Sequence, residues 1–434
     1  MPDATPPPAD ERVRAPRWTR FVPSPGRLPK LPARHWKLLG LLGAAEFVDH
    51  YDVGLLSNLL IYIQAELGIA EDQIGFLSAA VRAGVFLSLI AGFLADRIGR
   101  RRLLLVTVAG FTVTTFLTAF ARTPIEFALL QFFGRGFLYA ETAIAIVVIT
   151  EELAAKDRGY GLGLLGALGA CGFGVSAVAL PLVAHAPFGW RFFYALGALP
   201  LLWLAVLRRS LPETARFAAS ATRRTPWWQP ARALFTAYPG RLMALLAIVF
   251  SIDFAGSAAA GFMVKTLLEQ HGYQPGQVTL LYFAGGALAV VGNQVSGQLS
   301  DRFGRRPVLI VLLALMGVGF AGFYGLTGFV VAPLWVAQVF AVQGVDVLVR
   351  ALGSELFPTS YRSTASSLRM VFATLGGSLG LMLESVLYRQ LGSHGAAITA
   401  LLPMLVVAAT LVWLVLPESA ARELEEVSPE RASS

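Results

Sequence analysis

The chain has 434 residues, of which 56% are hydrophobic and only 14% charged, with a net charge of +8. Soluble domains carry about 25% charged residues, so these values exclude an ordinary soluble globular protein. The arginines are scattered over short loops rather than gathered on one folded face, which argues against nucleic-acid binding.

Residues 1–35 are predicted to form a disordered basic tail, because the first 34 hold nine prolines and seven basic residues. No short apolar core with a cleavage site precedes the first long apolar run, so a signal peptide is not expected. Twelve helical spans follow, near 38–63, 74–95, 103–121, 126–149, 161–184, 191–208, 242–268, 278–299, 308–329, 333–353, 364–388 and 396–416. Crossing a hydrocarbon core of ~30 Å takes ~20 helical residues at 1.5 Å each. A barrel would instead alternate polar and apolar residues in segments of ~10. The expected fold class is an all-α membrane protein of twelve transmembrane helices. Its divisions are a six-helix bundle over 36–208, a basic linker over 209–241, a second bundle over 242–416 and a tail over 417–434.

Loops 96–102, 150–160, 209–241, 300–307 and 354–363 together hold sixteen lysines and arginines, whereas the opposite loops hold only Arg122 and Arg389. The positive-inside rule therefore predicts a multi-pass inner-membrane protein with both termini in the cytoplasm. The one cysteine, Cys171, lies in an apolar span and is expected to do no more than pack.

The two halves repeat one another. "GFLADRIGRR" at 92–101 and "GQLSDRFGRR" at 297–306 share seven of ten residues. Asp96 and Asp301 are 205 apart, as are "LPET" at 211–214 and "LPES" at 416–419. Glu151 and Arg158 recur as Glu355 and Arg362 at an offset of 204, and Asp49 recurs as Asp253 at the same offset. Parallel repeats of this kind imply a transporter with its solute path between the halves.

Both decapeptides fit G-x-x-x-D-R-x-G-R-R after spans 2 and 8, and on these residues the chain resembles the major facilitator superfamily over about 36–426. "YDVGLLS" at 51–57, "TEELAAKDRG" at 150–159, "SELFPTSYRS" at 354–363 and "LPES…RELEEV" at 416–427 are similar to its proton-coupled metabolite, sugar and aromatic-acid symporters. The resemblance implies two pseudo-symmetric six-helix bundles and a cytoplasmic gate. Gate residues are Gly92, Asp96, Arg97, Arg100, Arg101, Glu151 and Arg158, with Gly297, Asp301, Arg302, Arg305, Arg306, Glu355 and Arg362 in the second copy. Gly92 and Gly297 would let a neighbouring helix approach closely. Asp96 and Asp301 would meet arginines or a facing helix N-terminus.

Charges inside the bilayer are costly and mark function. Glu46, Asp49 and Asp52 are spaced by three and share a helix face. Counting helical rise puts Asp49 at roughly 17 Å and Asp253 at roughly 16 Å from the cytoplasmic end, and Arg82 and Arg135 at roughly 12–13 Å from the outer end. These four are expected to converge on one layer. A carboxylate beside an arginine is ionised and takes up a proton when it loses that partner. An anionic solute that binds the arginine bidentately would compete for it, which couples solute to proton. The resemblance agrees, since D-x-x-D on helix 1 and the arginine of "GR" on helix 4 correspond here to Asp49, Asp52 and Arg135. Arg82 is either part of this site or a seal of the outer gate. Asp346 and Arg350, four apart, form a helix-internal pair or line the cavity, and Glu141 could relay a proton inward. His35, His185, His271 and His394 fall in loops or at helix ends and need no role; His50 points away from the Asp49/Asp52 face or lies beside it, and is assigned none.

No nucleotide-binding, zinc or nucleophile motif occurs, so no enzyme, cofactor or metal is expected. The partners are a small-molecule substrate, the proton and the lipid bilayer, with no nucleic acid, and a monomer is expected. Span 5 lacks the amide side chains that sugar carriers use and the glycine-proline motif of drug antiporters, although span 8 offers Asn293 and Gln298. Proton-coupled uptake of an organic anion or metabolite is the first reading. Proton-antiport efflux of drugs or metabolites is the alternative, and a non-transporting membrane sensor the remote one.

Overall fold

A computed structural model describes residues 29, 31–89, 100–153, 155–208, 228–357 and 361–416. Among the described residues there are helices and turns but no strand. In chain order the helices are α1 (Ala33–Leu67), α2 (Ile74–Ala83), α3 (Arg100–Thr118), α4 (Pro124–Glu152), α5 (Ala155–Ser176), α6 (Ala179–Leu182), α7 (Trp190–Arg208) and α8 (Trp228–Ala237). Then come α9 (Pro239–Gly261), α10 (Met263–Glu269), α11 (Pro275–Phe303), α12 (Arg305–Gly325), α13 (Val331–Glu355), α14 (Arg362–Leu391), α15 (His394–Leu401) and α16 (Pro403–Val415).

Seven helical segments among the described residues are long and apolar enough to cross a bilayer. At 35 residues α1 is the longest helix among the described residues. Several predicted spans are broken rather than continuous. The second breaks at a tight 3₁₀ turn, Gly84–Phe86, where a side chain on Gly84 would collide with the carbonyl of Phe132. The seventh breaks at Phe262 between α9 and α10, and the twelfth at Pro403, whose ring cannot continue the preceding helix. The linker holds a helix, α8, that periodicity did not reveal. Leu234 is fully buried, and Tyr238, just beyond α8, meets Phe357 and Tyr361 edge-on at 6.3 and 6.2 Å.

The chain divides into two compact units. The first comprises described residues of 1–59, 84–122 and 130–224. Its core joins α1, α3, α4 and α5 through Leu39, Leu42, Phe111, Leu138, Ile149 and Leu164, and α3 runs along α7. Gly172 lets α5 lie against the backbone of α1, because a Cβ there would strike the carbonyl of Phe47.

The second unit comprises described residues of 60–83, 123–129 and 225–434, so the end of α1 and all of α2 group with it. α9 packs along α14, with Gly376 and Gly380 against the carbonyls of Phe250 and Phe254. α13 lies against α11 and α12, α16 against α9 and α12, and α2 against α14.

Gly304 separates α11 from α12 inside the second decapeptide, at φ 103° and ψ 148°. That region is essentially closed to any residue with a Cβ. Gly304→Ala should cost about 1–3 kcal/mol and lower the thermal unfolding midpoint of the purified protein. Gly286→Ala, where a Cβ would meet nothing within 4 Å, should leave it unchanged.

Candidate functional site: intramembrane ion pairs

In the first unit the face spaced by three is buried throughout: Glu46, Asp49 and Asp52 are 6%, 0% and 2% exposed. Asp52 faces α4, its Oδ2 3.8 Å from Nη1 of Arg135, and its Oδ1 accepts from the Thr115 hydroxyl at 3.4 Å. Arg135 is itself 5% exposed. Tyr194 is fully buried within the field of the same pair, and Tyr51 donates to the carbonyl of Phe193 at 3.4 Å. Nearly two turns back, Glu46 accepts from Thr142 at 3.1 Å and lies 3.5 Å from the ring of His50. Glu141, on α4, is buried.

The second unit holds a separate pair. Arg82, at the end of α2, donates to Oδ1 of Asp253 on α9 at 2.8 Å and to the carbonyl of Ala373 at 3.5 Å. Ser257 donates to the same Asp253 oxygen at 3.5 Å. Asp346 and Arg350 form a bidentate pair within α13, at 3.1 and 2.6 Å, and stay substantially exposed. Arg369, on α14, lies in the field of Asp346, Arg350 and Asp253. Of the four charges expected on one layer, Arg82 pairs with Asp253 within the second unit, and Asp49 is fully buried in the first. The carboxylate recorded beside Arg135 is that of Asp52, which was not among the four. Helical rise gives a residue's height but not the direction its side chain takes around the helix axis.

Of the gate residues, Gly92, Asp96 and Arg97 lie outside the described residues, as do the side chains of Arg100, Arg101, Glu151 and Arg158. In the second copy Arg305 is the hub. It meets Asp301 at 2.6 Å and Glu355 at 3.0 Å, and donates to the Ser300 hydroxyl. Arg306 donates to the carbonyl of Trp413, Arg362 to that of Phe357 at 3.2 Å, and Arg302 lies over the Phe303 ring at 5.2 Å. Close helix approach does not explain Gly297, since no described atom lies within 4 Å of where its Cβ would stand.

Three charged residues in apolar runs escaped the sequence reading: Lys265, Arg369 and Glu384. The cost of a charge inside a span was the signal that marks each of them. His394, expected to need no role, is 6% exposed and held between carboxylates.

The profile of the Major Facilitator Superfamily matches the chain twice, over residues 42–252 and 245–433. A candidate niacin/nicotinamide transporter of Bacillus subtilis is 26% identical over 407 residues, covering 91% of this chain and 99% of that protein. A gallate transporter of Pseudomonas putida is 26% identical over 413 residues, covering 87% and 89%. Among solved structures, a D-xylose-proton symporter superposes with a TM-score of 0.75 at 17% identity, covering 89% of this chain and 99% of that one.

Proposed function

From the premise that the chain belongs to the major facilitator superfamily, and so is a multi-pass membrane transporter and not an enzyme, we propose that it takes up a small organic anion together with a proton. It does so by alternating access in the inner membrane, with both termini cytoplasmic. The substrate class is an aromatic or related carboxylate; relatives named for niacin and gallate support it. The observation that carries the proposal is the buried Asp52–Arg135 pair of the first unit.

The chemistry follows from a competition for one guanidinium. In a water-poor site Arg135 favours the ionised form of Asp52 against the cost of burial, since two unit charges ~4 Å apart attract by about 4 kcal/mol even at an effective dielectric of ~20. A solute carboxylate that takes both prongs of the fork displaces Asp52 from it. A carboxylate left without its partner in that environment takes up a proton. Solute and proton then load together and leave together. Thr115 gives the displaced carboxyl a hydroxyl neighbour in either protonation state. Asp253 and Arg82 supply a second pair that keeps its mutual bond while the first exchanges partners.

Purified protein in liposomes, screened over aromatic carboxylates, aliphatic acids and sugars with the pH gradient in each direction, tests this. Accumulation of a carboxylate should follow an inward proton gradient and stop when the gradient is removed. Accumulation of a sugar, or export driven by the same inward gradient, would overturn it.

A further inference from the structure

The first turn of α15 carries a charge cluster that the proposed coupling site does not use. α14 ends at Leu391, Gly392 turns the chain at φ 66°, and Ser393 caps α15 by accepting from the Ala396 amide at 3.4 Å. This turn lays the His394 ring between Phe262 and Tyr388, stacked on each with centroids 4.5 and 4.2 Å apart. Its Nδ1 lies 2.6 Å from Oε1 of Glu384, and its Nε2 lies 2.9 Å from Oε2 of Glu71. Glu384 is fully buried, and its Oε2 has no hydrogen-bond partner among the described residues. The other oxygen of Glu71 accepts from Lys265 Nζ at 3.1 Å, and the same ammonium reaches Gln64 at 2.9 Å and Glu269 at 2.7 Å.

Two further contacts run the same way. The Gly75 amide donates to the Ser385 hydroxyl at 3.0 Å, and Arg389 donates to Asp72 at 2.7 Å. Residues 64–75 are thus tied to α10, α14 and α15 by this set of polar contacts, beside the buried side chains of Leu67, Ile69 and Ile74.

Donor counting fixes the state of this cluster. A neutral imidazole has one N–H and one lone pair, so it can satisfy one carboxylate and must turn a lone pair on the other. Contacts of 2.6 and 2.9 Å to two carboxylates therefore require one proton more than imidazole plus two carboxylates provides. The aromatic rings on both faces favour the cation. The groups facing it are Glu71 and Asp72 beside α2, Lys265 and Glu269 on α10, Tyr324 on α12, and Glu384, Tyr388 and Arg389 on α14. Carboxylates outnumber fixed cations among them.

We infer that His394, Glu384 and Glu71 form a proton-binding site distinct from Asp52–Arg135, whose single proton fastens residues 64–75 to α10, α14 and α15 and whose loss unfastens them. Burial alone would raise the Glu71 pKa, but hydrogen bonds from His394, Gln64 and Lys265 hold it below the ordinary value. Glu71 therefore stays ionised, and the exchangeable proton belongs to the His394–Glu384 side. The orientation proposed above puts the cluster at the outer face, where it reads external pH. That placement rests on the proposed topology, whereas the fastening does not.

Hydrogen–deuterium exchange of the full-length protein in nanodiscs tests the site at about pH 6 and about pH 8, either side of the usual histidine value of ~6.5. After correction for intrinsic exchange, amides of residues 64–75 should open about tenfold more readily at the higher pH, the change expected for about one pKa unit of coupling. His394→Gln should exchange fast at both pH values. Glu384→Gln should exchange slowly at both, because an amide can donate to the neutral ring and no extra proton is needed. Asp52→Asn, which disables the proposed coupling site, should keep the wild-type pH response. Wild-type exchange that ignores pH, or a pH response that survives His394→Gln, would overturn the inference and leave the coupling proposal standing.

Discussion

Replacing Arg135 by lysine should slow uptake by about 100-fold, equivalent to about 2.7 kcal/mol, with the protein still folded and inserted. Lysine keeps the charge but not the planar fork that holds a carboxylate at two points. The site leaves little room for adjustment. Arg135 is 5% exposed, and a Cβ at the adjacent Gly84 would come within 3.0 Å of its own Cβ. A lysine ammonium would engage Asp52 or the solute as a point charge and could not grip a solute carboxylate at two points. Arg135→Ala is a harsher change, since it strands the buried Asp52 carboxylate, a loss of about 3–5 kcal/mol for a broken buried pair. Initial rates in proteoliposomes, normalised to inserted protein, check both variants. A lysine variant within about threefold of wild type would mean that Arg135 acts only as a charge, since that is under ~1 kcal/mol.

The second large effect is expected at Arg82 and Asp253. Each side chain is about one-third exposed, at 32% and 29%, so the penalty for stranding one partner is softened by water but remains. Arg82→Ala and Asp253→Ala should each reduce uptake by about tenfold, ~1.4 kcal/mol. The double substitution should be no worse than either single one, because the stranded charge disappears. Purely additive losses would mean that the two residues act separately, in contradiction to the 2.8 Å contact.

Much of the fold was legible because bilayer thickness dictates helix length. The predicted span 191–208 is α7 to within one residue, and 364–388 lies within α14, Arg362–Leu391. Helix extensions beyond the apolar runs were less legible. α11 starts at Pro275, ahead of the first apolar pair, because Gln274 and Gln277 cap each other reciprocally there. The site was legible as a set of residues but not as a set of pairs. Spacing by three puts Glu46, Asp49 and Asp52 on one face, yet which of them meets Arg135 depends on how α1 is rotated about its axis. That rotation is fixed by packing of Gly43 against Leu168 and of Gly172 against the Phe47 carbonyl, contacts more than a hundred residues apart in sequence. The His394 cluster was illegible for a related reason: Glu71 and His394 are 323 residues apart, and no local pattern announces their meeting.

On the proposed mechanism Asp52 carries the coupling proton and Arg135 decides when. The most direct measurement compares two assays of Asp52→Asn in the same proteoliposomes: accumulation driven by an inward proton gradient, and exchange of labelled for unlabelled solute with no gradient. An asparagine at this position cannot titrate, but it leaves Arg135 free to bind the solute anion. Accumulation should vanish, while exchange continues within about threefold of the wild-type rate, a difference under ~1 kcal/mol. Retained accumulation against the gradient would rule out Asp52 as the proton carrier, and so would joint loss of exchange and accumulation by a stably folded variant.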